Sequence, residues 1–427
     1  MDNLPRCSQG PESDWGVDLE MKILTIHNKY KIRGGEDECR EGEDHLLADK
    51  GHEIRQLVFD NSVISPSNQW KVGFGTPWNG DSYRLVQAEI KKWRPDIVDI
   101  HNFFPLASPS VHWAARELNV PVVQTLHNYR LLCPGAYFYR NGRVCEDCVK
   151  WKLPIPSIIH GCYRGSRIQT AAVALMVGTH RIAKTWQRKV SVFVAVSEFV
   201  KRKFVESGFP ESRILVKPNF VHDTGRPGDG GEDFLCVARL TPEKGIRTLL
   251  RAMDLTAAQV RLKIVGTGPL ESEVQAAAAQ NPRIEYLGVL PLREVLRLMG
   301  TAKCVIFPSE WYETFGRVAA EAFARGTPVV AARVGAVAEI VEEGQTGLHF
   351  TPADPQDLAR KMIWLLANPE KVAQMRVAAR QEFEKKYTAE RNYGLLLEAY
   401  DRAILNCRKP ASRRQSNPTS QQADLKI

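Results

Sequence analysis

Short apolar runs rich in β-branched residues recur along this chain, each followed by a stretch with helical spacing, and the rhythm starts twice. The first series is "MKILTIH", "HEIRQLVF", "PDIVDIHN", "PVVQTLHN" and "VFVAVS", closing on "RILVKPNFV". A glycine-rich break, "GRPGDGGED" at 225–233, interrupts it. The second series is "DFLCVARL", "VRLKIVGTG", "IEYLGVL", "CVIFPS", "TPVVAAR" and "TGLHF". Alternation of this kind predicts parallel α/β units, because parallel strands need a helical crossover to return the chain. Two doubly wound domains facing across a cleft follow, and in such sheets ligands sit outside the C-terminal ends of the strands. The length of 427 residues agrees with two cores rather than one.

The expected divisions are an N-terminal domain over 21–220, with a cysteine-rich basic insert at 130–165, and a C-terminal domain over 221–385. A helix over 386–407 is expected to return to the N-terminal domain. The polar ends, 1–20 and 408–427, read as disordered tails. No run has the length and apolarity of a membrane span, and the first residues lack a signal pattern, so a cytoplasmic protein is expected. The net charge is +9. Between residues 130 and 190 stand eleven Lys and Arg against Glu146 and Asp147 alone. That local excess fits an anionic partner, such as the inner face of a membrane, or merely a solvated basic surface.

The stretch "EWYETFGRVAAEAFARGTPVV" carries the most chemistry. It follows the strand "CVIFPS", and its Gly316 opens an apolar helix. The free N–H groups of that helix, over Thr314, Phe315, Gly316 and Arg317, would form an anion site at the strand ends. Glu313 in the turn and Glu321 two turns on could accept hydrogen bonds from sugar hydroxyls. Equally, Glu313 could cap the helix and Glu321 be a satisfied internal carboxylate. "ARLTPEKG" at 238–245 places Arg239 and Lys244 at the end of a neighbouring strand, a suitable clamp for a diphosphate. Gly266 and Gly268 make a turn after the next strand, and Leu287 lies where backbone groups could read a base edge.

These elements, "ARLTPEKG", "IVGTGPL", "FPSEWYETFGRVAAEAFARGTPVVA" and "GQTGLHF", resemble in order and spacing the nucleotide-binding domain of the family 4 glycosyltransferases, which have the GT-B fold. The likeness is specific over 234–350 and weaker over the rest of 21–405. It implies transfer of a sugar from a nucleotide-diphosphate sugar with retention of anomeric configuration. Glu321 would hold the ribose, Glu313 the donor sugar, and Arg239 with Lys244 the diphosphate. By the same resemblance Gly34 and Gly35, in "RGGEDE", face the donor phosphates, although two glycines alone also fit an ordinary βα turn. His127, ending "QTLHN", would meet the transferred sugar. Family members often carry Asp after this histidine; here it is Asn128, so no carboxylate can act there. His101 and Asn102 are candidate acceptor contacts.

Breaking a sugar–diphosphate bond leaves negative charge on the phosphate, and fixed donors aimed at it stabilise the transition state. The chain contains no Asp-x-Asp, so a carboxylate-held Mg²⁺ of that kind is not expected, and no catalytic cofactor is called for. No side chain identifies itself as a covalent nucleophile. Among nine cysteines, Cys133, Cys145, Cys148 and Cys162 cluster in the basic insert. Their central C-x2-C suggests a structural zinc, the alternative being four unligated thiols in a mobile loop. Residues 165–190 read as one helix with a basic flank, lying either on an anionic membrane or against the N-terminal domain.

The expected partners are therefore a nucleotide sugar and a glycan or lipid-linked acceptor, in cell-surface polysaccharide biosynthesis; nucleic acid is not expected. A sugar-nucleotide epimerase of the same fold is the alternative enzyme, but it needs no acceptor surface. A zinc-ribbon nucleic-acid binder would explain the cysteines and the charge but not Glu313, Glu321, Arg239 and Lys244.

Overall fold

Strands buried on both faces of a sheet are built mainly from apolar residues, and those of this chain largely are, with Asp99, His101, Asn102, Gln124 and Thr125 as buried polar exceptions. The computed structural model describes residues 20–223, 225 and 227–408. The predicted tails fall almost wholly outside the described residues. In the N-terminal half the strands are β1 (Lys22–Lys29), β2 (Glu53–Asp60), β3 (Ile97–Asn102), β4 (Val122–Leu126), the two-residue β5 (Tyr139–Arg140) and β6 (Arg143–Val144), β7 (Val192–Ala195) and β8 (Ile214–Val216). The C-terminal half contributes β9 (Phe234–Val237), β10 (Leu262–Val265), β11 (Ile284–Gly288), β12 (Cys304–Phe307), β13 (Val329–Ala332) and β14 (Gly347–Phe350).

Two six-stranded sheets result, ordered β2-β1-β3-β4-β7-β8 and β11-β10-β9-β12-β13-β14, and every adjacent pair within them is parallel. In each sheet the order reverses once, between β1 and β3 in the first and between β9 and β12 in the second. Successive helices leave on opposite faces at such a switch point, which opens a crevice beyond the strand ends. Strands β3, β4, β7, β12, β13 and β14 are buried along their whole length, whereas the edge strand β2 is not.

Helix Pro369–Lys386 packs on the C-terminal half, against helix Arg317–Ala324. The chain then crosses over, and helix Ala389–Arg408 covers the first sheet. There Tyr393, Leu396, Ala399, Tyr400 and Ala403 form one core with Ile23, Val123 and Val192. The Tyr400 hydroxyl donates to Asp99 Oδ2 at 2.6 Å. Burial pushes the Asp99 carboxyl up to about 7, against the opposing Tyr400 hydrogen bond.

The basic insert departs from expectation in one respect. Among the described residues no group of three or more His, Cys, Asp or Glu is placed to hold a metal ion, and Cys133, Cys145, Cys148 and Cys162 are all free. The structural zinc is thus not supported. Burial, with Cys133 nearby, raises Cys148 to about 12 and Cys162 to about 11, so both are protonated thiols at neutral pH. Order comes instead from a small antiparallel β5–β6 ladder, the buried ring of Phe138, and Arg181. The Arg181 guanidinium donates to the carbonyls of Leu132, Cys148 (3.0 Å) and Trp151 (2.7 Å), tying the start of the insert to its middle. The single helix expected over 165–190 is two, Arg167–Ile182 and Thr185–Lys189, because Lys184 takes a left-handed conformation at φ 50°. Val173, Met176 and Val177 bury one side of the longer helix. No helix of the described residues is long and apolar enough to cross a membrane.

Candidate active site

Strands β9 and β12 are neighbours on either side of the second switch point, so the loops that follow them meet. Arg239 and Lys244 come from the first loop and Glu313 from the second. Gly245, with φ 67°, makes the meeting possible: a Cβ there would lie 1.9 Å from the carbonyl oxygen of Pro308. Glu313 is buried, and its Oε1 accepts from Lys244 Nζ, from Ser309 Oγ at 2.8 Å and from Trp311 Nε1 at 2.9 Å. One oxygen is thereby saturated, which orients the other. Lys244 also lies over the Trp311 ring, 5.3 Å from its centroid. Arg239 is exposed at the mouth and makes no ion pair among the described residues. The two cations are therefore not equivalent: one is locked to a carboxylate, the other is open.

Gly316 caps helix Arg317–Ala324 at φ 118° and ψ 51°, as the sequence expectation required. Arg317, in the first turn, donates through Nε to Glu321 Oε1 at 2.8 Å and pairs through Nη1 with Glu38 Oε2 at 3.0 Å. Burial raises the Glu321 carboxyl, with Arg317 opposing the rise. Phe315 is buried against Tyr387, ring centroids 5.8 Å apart. Gly266 and Gly268 follow β10 and lie under the β9 loop, Gly266 N donating to the Gly288 carbonyl at 2.8 Å. Leu287, in β11, is half-buried against the core.

The first switch point supplies the opposing wall. Gly34 and Gly35 begin helix Gly35–Asp49, and the Gly34 amide donates to Asp37 Oδ2 at 2.9 Å while Asp37 Oδ1 meets His27 Nε2 at 2.8 Å. His127 is buried beside His101, their rings stacked at 5.2 Å with His127 Nε2 2.9 Å from His101 Nδ1. Burial drives His127 down to about 3, so the imidazole is neutral at physiological pH. Asn102 is spent on the backbone: its Nδ2 donates to the Asn28 carbonyl at 2.7 Å and its Oδ1 accepts from Phe104 N at 3.0 Å. Of the two candidate acceptor contacts, only His101 touches His127.

Three participants were missed in the sequence. Asn128 Nδ2 donates to Glu36 Oε1 at 2.7 Å, so a carboxylate does stand beside the position where family members carry Asp, brought from the glycine loop. Glu38 reaches across to Arg317, and Ser197 Oγ donates to the Thr314 carbonyl at 2.8 Å. The acidic run directly after Gly35 was the available signal for Glu36 and Glu38. Ser197 offered none beyond a helix cap.

Comparison with known proteins identifies the family and the fold. The sequence profile of the family described as Glycosyl transferases group 1 matches residues 221–382, and that of Glycosyltransferase Family 4 matches residues 45–224. An uncharacterized glycosyltransferase of Methanocaldococcus jannaschii is 31% identical over 86% of this chain and 91% of its own. The sulfoquinovosyl transferase SQD2 of Arabidopsis thaliana is 27% identical over 77% of this chain, which spans 61% of that protein. Among solved structures, Anabaena Alr3699/HepE in complex with UDP-glucose superposes with a TM-score of 0.64 at 18% identity, covering 89% of this chain and all of the other. The chain therefore belongs to the family 4 glycosyltransferases, built as two Rossmann-like domains in the GT-B arrangement.

Proposed function

We propose that this protein is a retaining, metal-independent glycosyltransferase that moves a sugar from a nucleoside diphosphate sugar to a glycan or lipid-linked acceptor in cell-surface polysaccharide synthesis. The observation that carries the reading is the Lys244–Glu313 pair at the second switch point, with Arg239 open beside it and His127 opposite. Arg239, Lys244 and the N–H groups at the start of helix Arg317–Ala324 would receive the charge that develops on the leaving diphosphate. Glu313, held through Oε1, would offer Oε2 to a donor-sugar hydroxyl. Glu321 would take the ribose, which requires Arg317 to share it. His127, being neutral, would act as a hydrogen-bonding partner of the sugar and not as a cation. That the Anabaena structure holds UDP-glucose supports a UDP-type donor.

A thermal-shift titration with UDP, GDP, ADP and CMP tests this, run on the wild type, Glu321→Ala and Arg239→Ala. One nucleotide at a hundred times its dissociation constant should stabilise the wild type by about 2.7 kcal/mol. Both variants should lose most of that response. Absence of any response to all four nucleotides would sink the donor-site assignment.

A further inference from the structure

The outer wall of the N-terminal half is apolar and basic at the same time. Helix Gln69–Gly75 presents Trp70 and Phe74, one turn apart, and Phe74 is 82% exposed. Helix Ile155–His160 presents Ile155 and Ile159 in the same spacing. Along helix Arg167–Ile182 the exposed Ile168, Leu175 and Ile182 recur every seventh residue and so form one outward stripe, Ile168 being 85% exposed. Both shorter helices pack on the long one. Gly73 lies against Ala172, and Leu153, just ahead of Ile155, fills the groove over Gly178. Seven large apolar side chains on three adjoining helices, each exposed among the described residues, exceed the scattered exposure ordinary for a surface.

Charge selects the occupant. No Asp or Glu occurs in residues 61–80 or in residues 148–197. Exposed Lys71, Lys150, Lys152, Arg164, Arg167 and Lys184 rise among the apolar groups instead. A second copy packed face to face would set these cations against each other. A bilayer with anionic headgroups accepts both features, the apolar tips below the headgroups and the cations at their level. We propose that this three-helix face docks on the surface of an anionic lipid bilayer.

A cavity of about 310 Å³ lies directly behind the face, between helices Gln69–Gly75 and Arg167–Ile182. Val72 and Val173 line it towards those helices, while Tyr30 and Arg130 line its inner end near Asn128. Given the transferase reading above, on which this step rests, docking brings the bilayer to the acceptor side of the cleft. A lipid-anchored phosphate could then reach the Arg130 guanidinium without leaving the membrane.

Co-sedimentation of the full chain with vesicles decides the matter. Phosphatidylcholine vesicles are compared with vesicles containing phosphatidylglycerol as well, using the wild type, Phe74→Ser/Ile168→Ser and Lys150→Glu/Lys152→Glu. The wild type should partition to the anionic vesicles only, and less so as salt rises. Each double variant should weaken partition by roughly tenfold or more. The substituted residues are exposed, and an unchanged melting temperature would show that the variants fold. Sedimentation velocity of the same proteins reports self-association. Failure to bind anionic vesicles, equal binding by the variants, or a wild-type dimer that the apolar variant loses would each overturn the proposal. Vesicle binding needs no nucleotide. A failed nucleotide titration with intact vesicle binding would therefore remove only the acceptor step.

Discussion

The Thr314 hydroxyl donates a 2.9 Å hydrogen bond to the backbone carbonyl of His127, 187 residues away. It joins the loop after β12 to the end of β4, and thus the proposed donor site to the proposed acceptor side. The Ser197 hydroxyl grips the same residue from the N-terminal half through the Thr314 carbonyl. Phe199 and Tyr312 close the joint with an edge-on ring contact at 4.8 Å.

Replacing Thr314 by Val keeps the shape and removes the donor, leaving the His127 carbonyl short of a partner. A loss of about 1–2 kcal/mol in the closed arrangement is expected. Steady-state kinetics should show kcat lower by roughly five- to thirtyfold, with nucleotide affinity unchanged. An unaltered kcat would mean the contact plays no part in bringing the two halves together.

Lys244→Met strips Glu313 of its cation and the diphosphate of a donor. Turnover should fall about a hundredfold, roughly 3 kcal/mol in the barrier. Chelation with EDTA should leave the wild-type rate where it was, since no metal is assigned a part in the reaction. Loss of activity on chelation, restored by Mg²⁺, would overturn that assignment.

Two glycines should respond in opposite ways. Gly266 has φ 138°, and a Cβ there would fall 1.9 Å from the Ala238 carbonyl oxygen. Gly266→Ala should cost more than about 2 kcal/mol in urea unfolding, through strain in the loop under Arg239. Gly34 sits at φ −134°, and a Cβ would meet nothing within 4 Å. Gly34→Ala should stay within about 0.5 kcal/mol of wild type, while activity falls if this loop faces the donor phosphates.

Asp99 makes a pH prediction with a definite sign. Its carboxyl stands at about 7 in the folded protein, against an ordinary value near 4 in the unfolded chain. Between these values the folded state holds a proton that the unfolded state has released. The contribution of this residue to stability is therefore present at low pH and is lost as pH rises from about 4 to about 7. Asp99→Asn removes that dependence. Urea unfolding at several pH values should show the variant gaining on the wild type by up to ~1.4 kcal/mol per pH unit in that window, with no further gain above it. A constant gap would show that Asp99 ionises normally in its contact with Tyr400.

Both sheets were legible from the alternation of apolar runs and helical stretches, because parallel strands buried on both faces are mainly apolar. Every predicted main strand is present, and the return of the last helix to the first sheet follows from its apolar face. The short β5–β6 ladder was not legible, since "YRNGRV" has two-residue strands and no core face to mark them. The zinc expectation arose from the C-x2-C spacing, and among the described residues no three of these cysteines are placed to hold a metal ion. Arg181, 19 residues beyond Cys162, holds the insert by donating to carbonyls, an interaction that leaves no pattern in sequence.

The residue types around the proposed donor site were readable because each belongs to a local strand–turn–helix unit: Arg239 and Lys244 after β9, Glu313 and Gly316 after β12. Their pairing was not. Which oxygen of Glu313 is held, that Arg317 spans from Glu321 to Glu38, and that Asn128 recruits Glu36 depend on loops brought together over long sequence separations. Only the basic flank over residues 165–190 was legible in sequence; that the helix at 69–75 adjoins those at 155–160 and 167–182 depends on the folded sheet. Local sequence sets the periodicity and turn chemistry of each unit. The order in which strands add to a sheet, and the approach of one sheet to the other, set which side chains share a site.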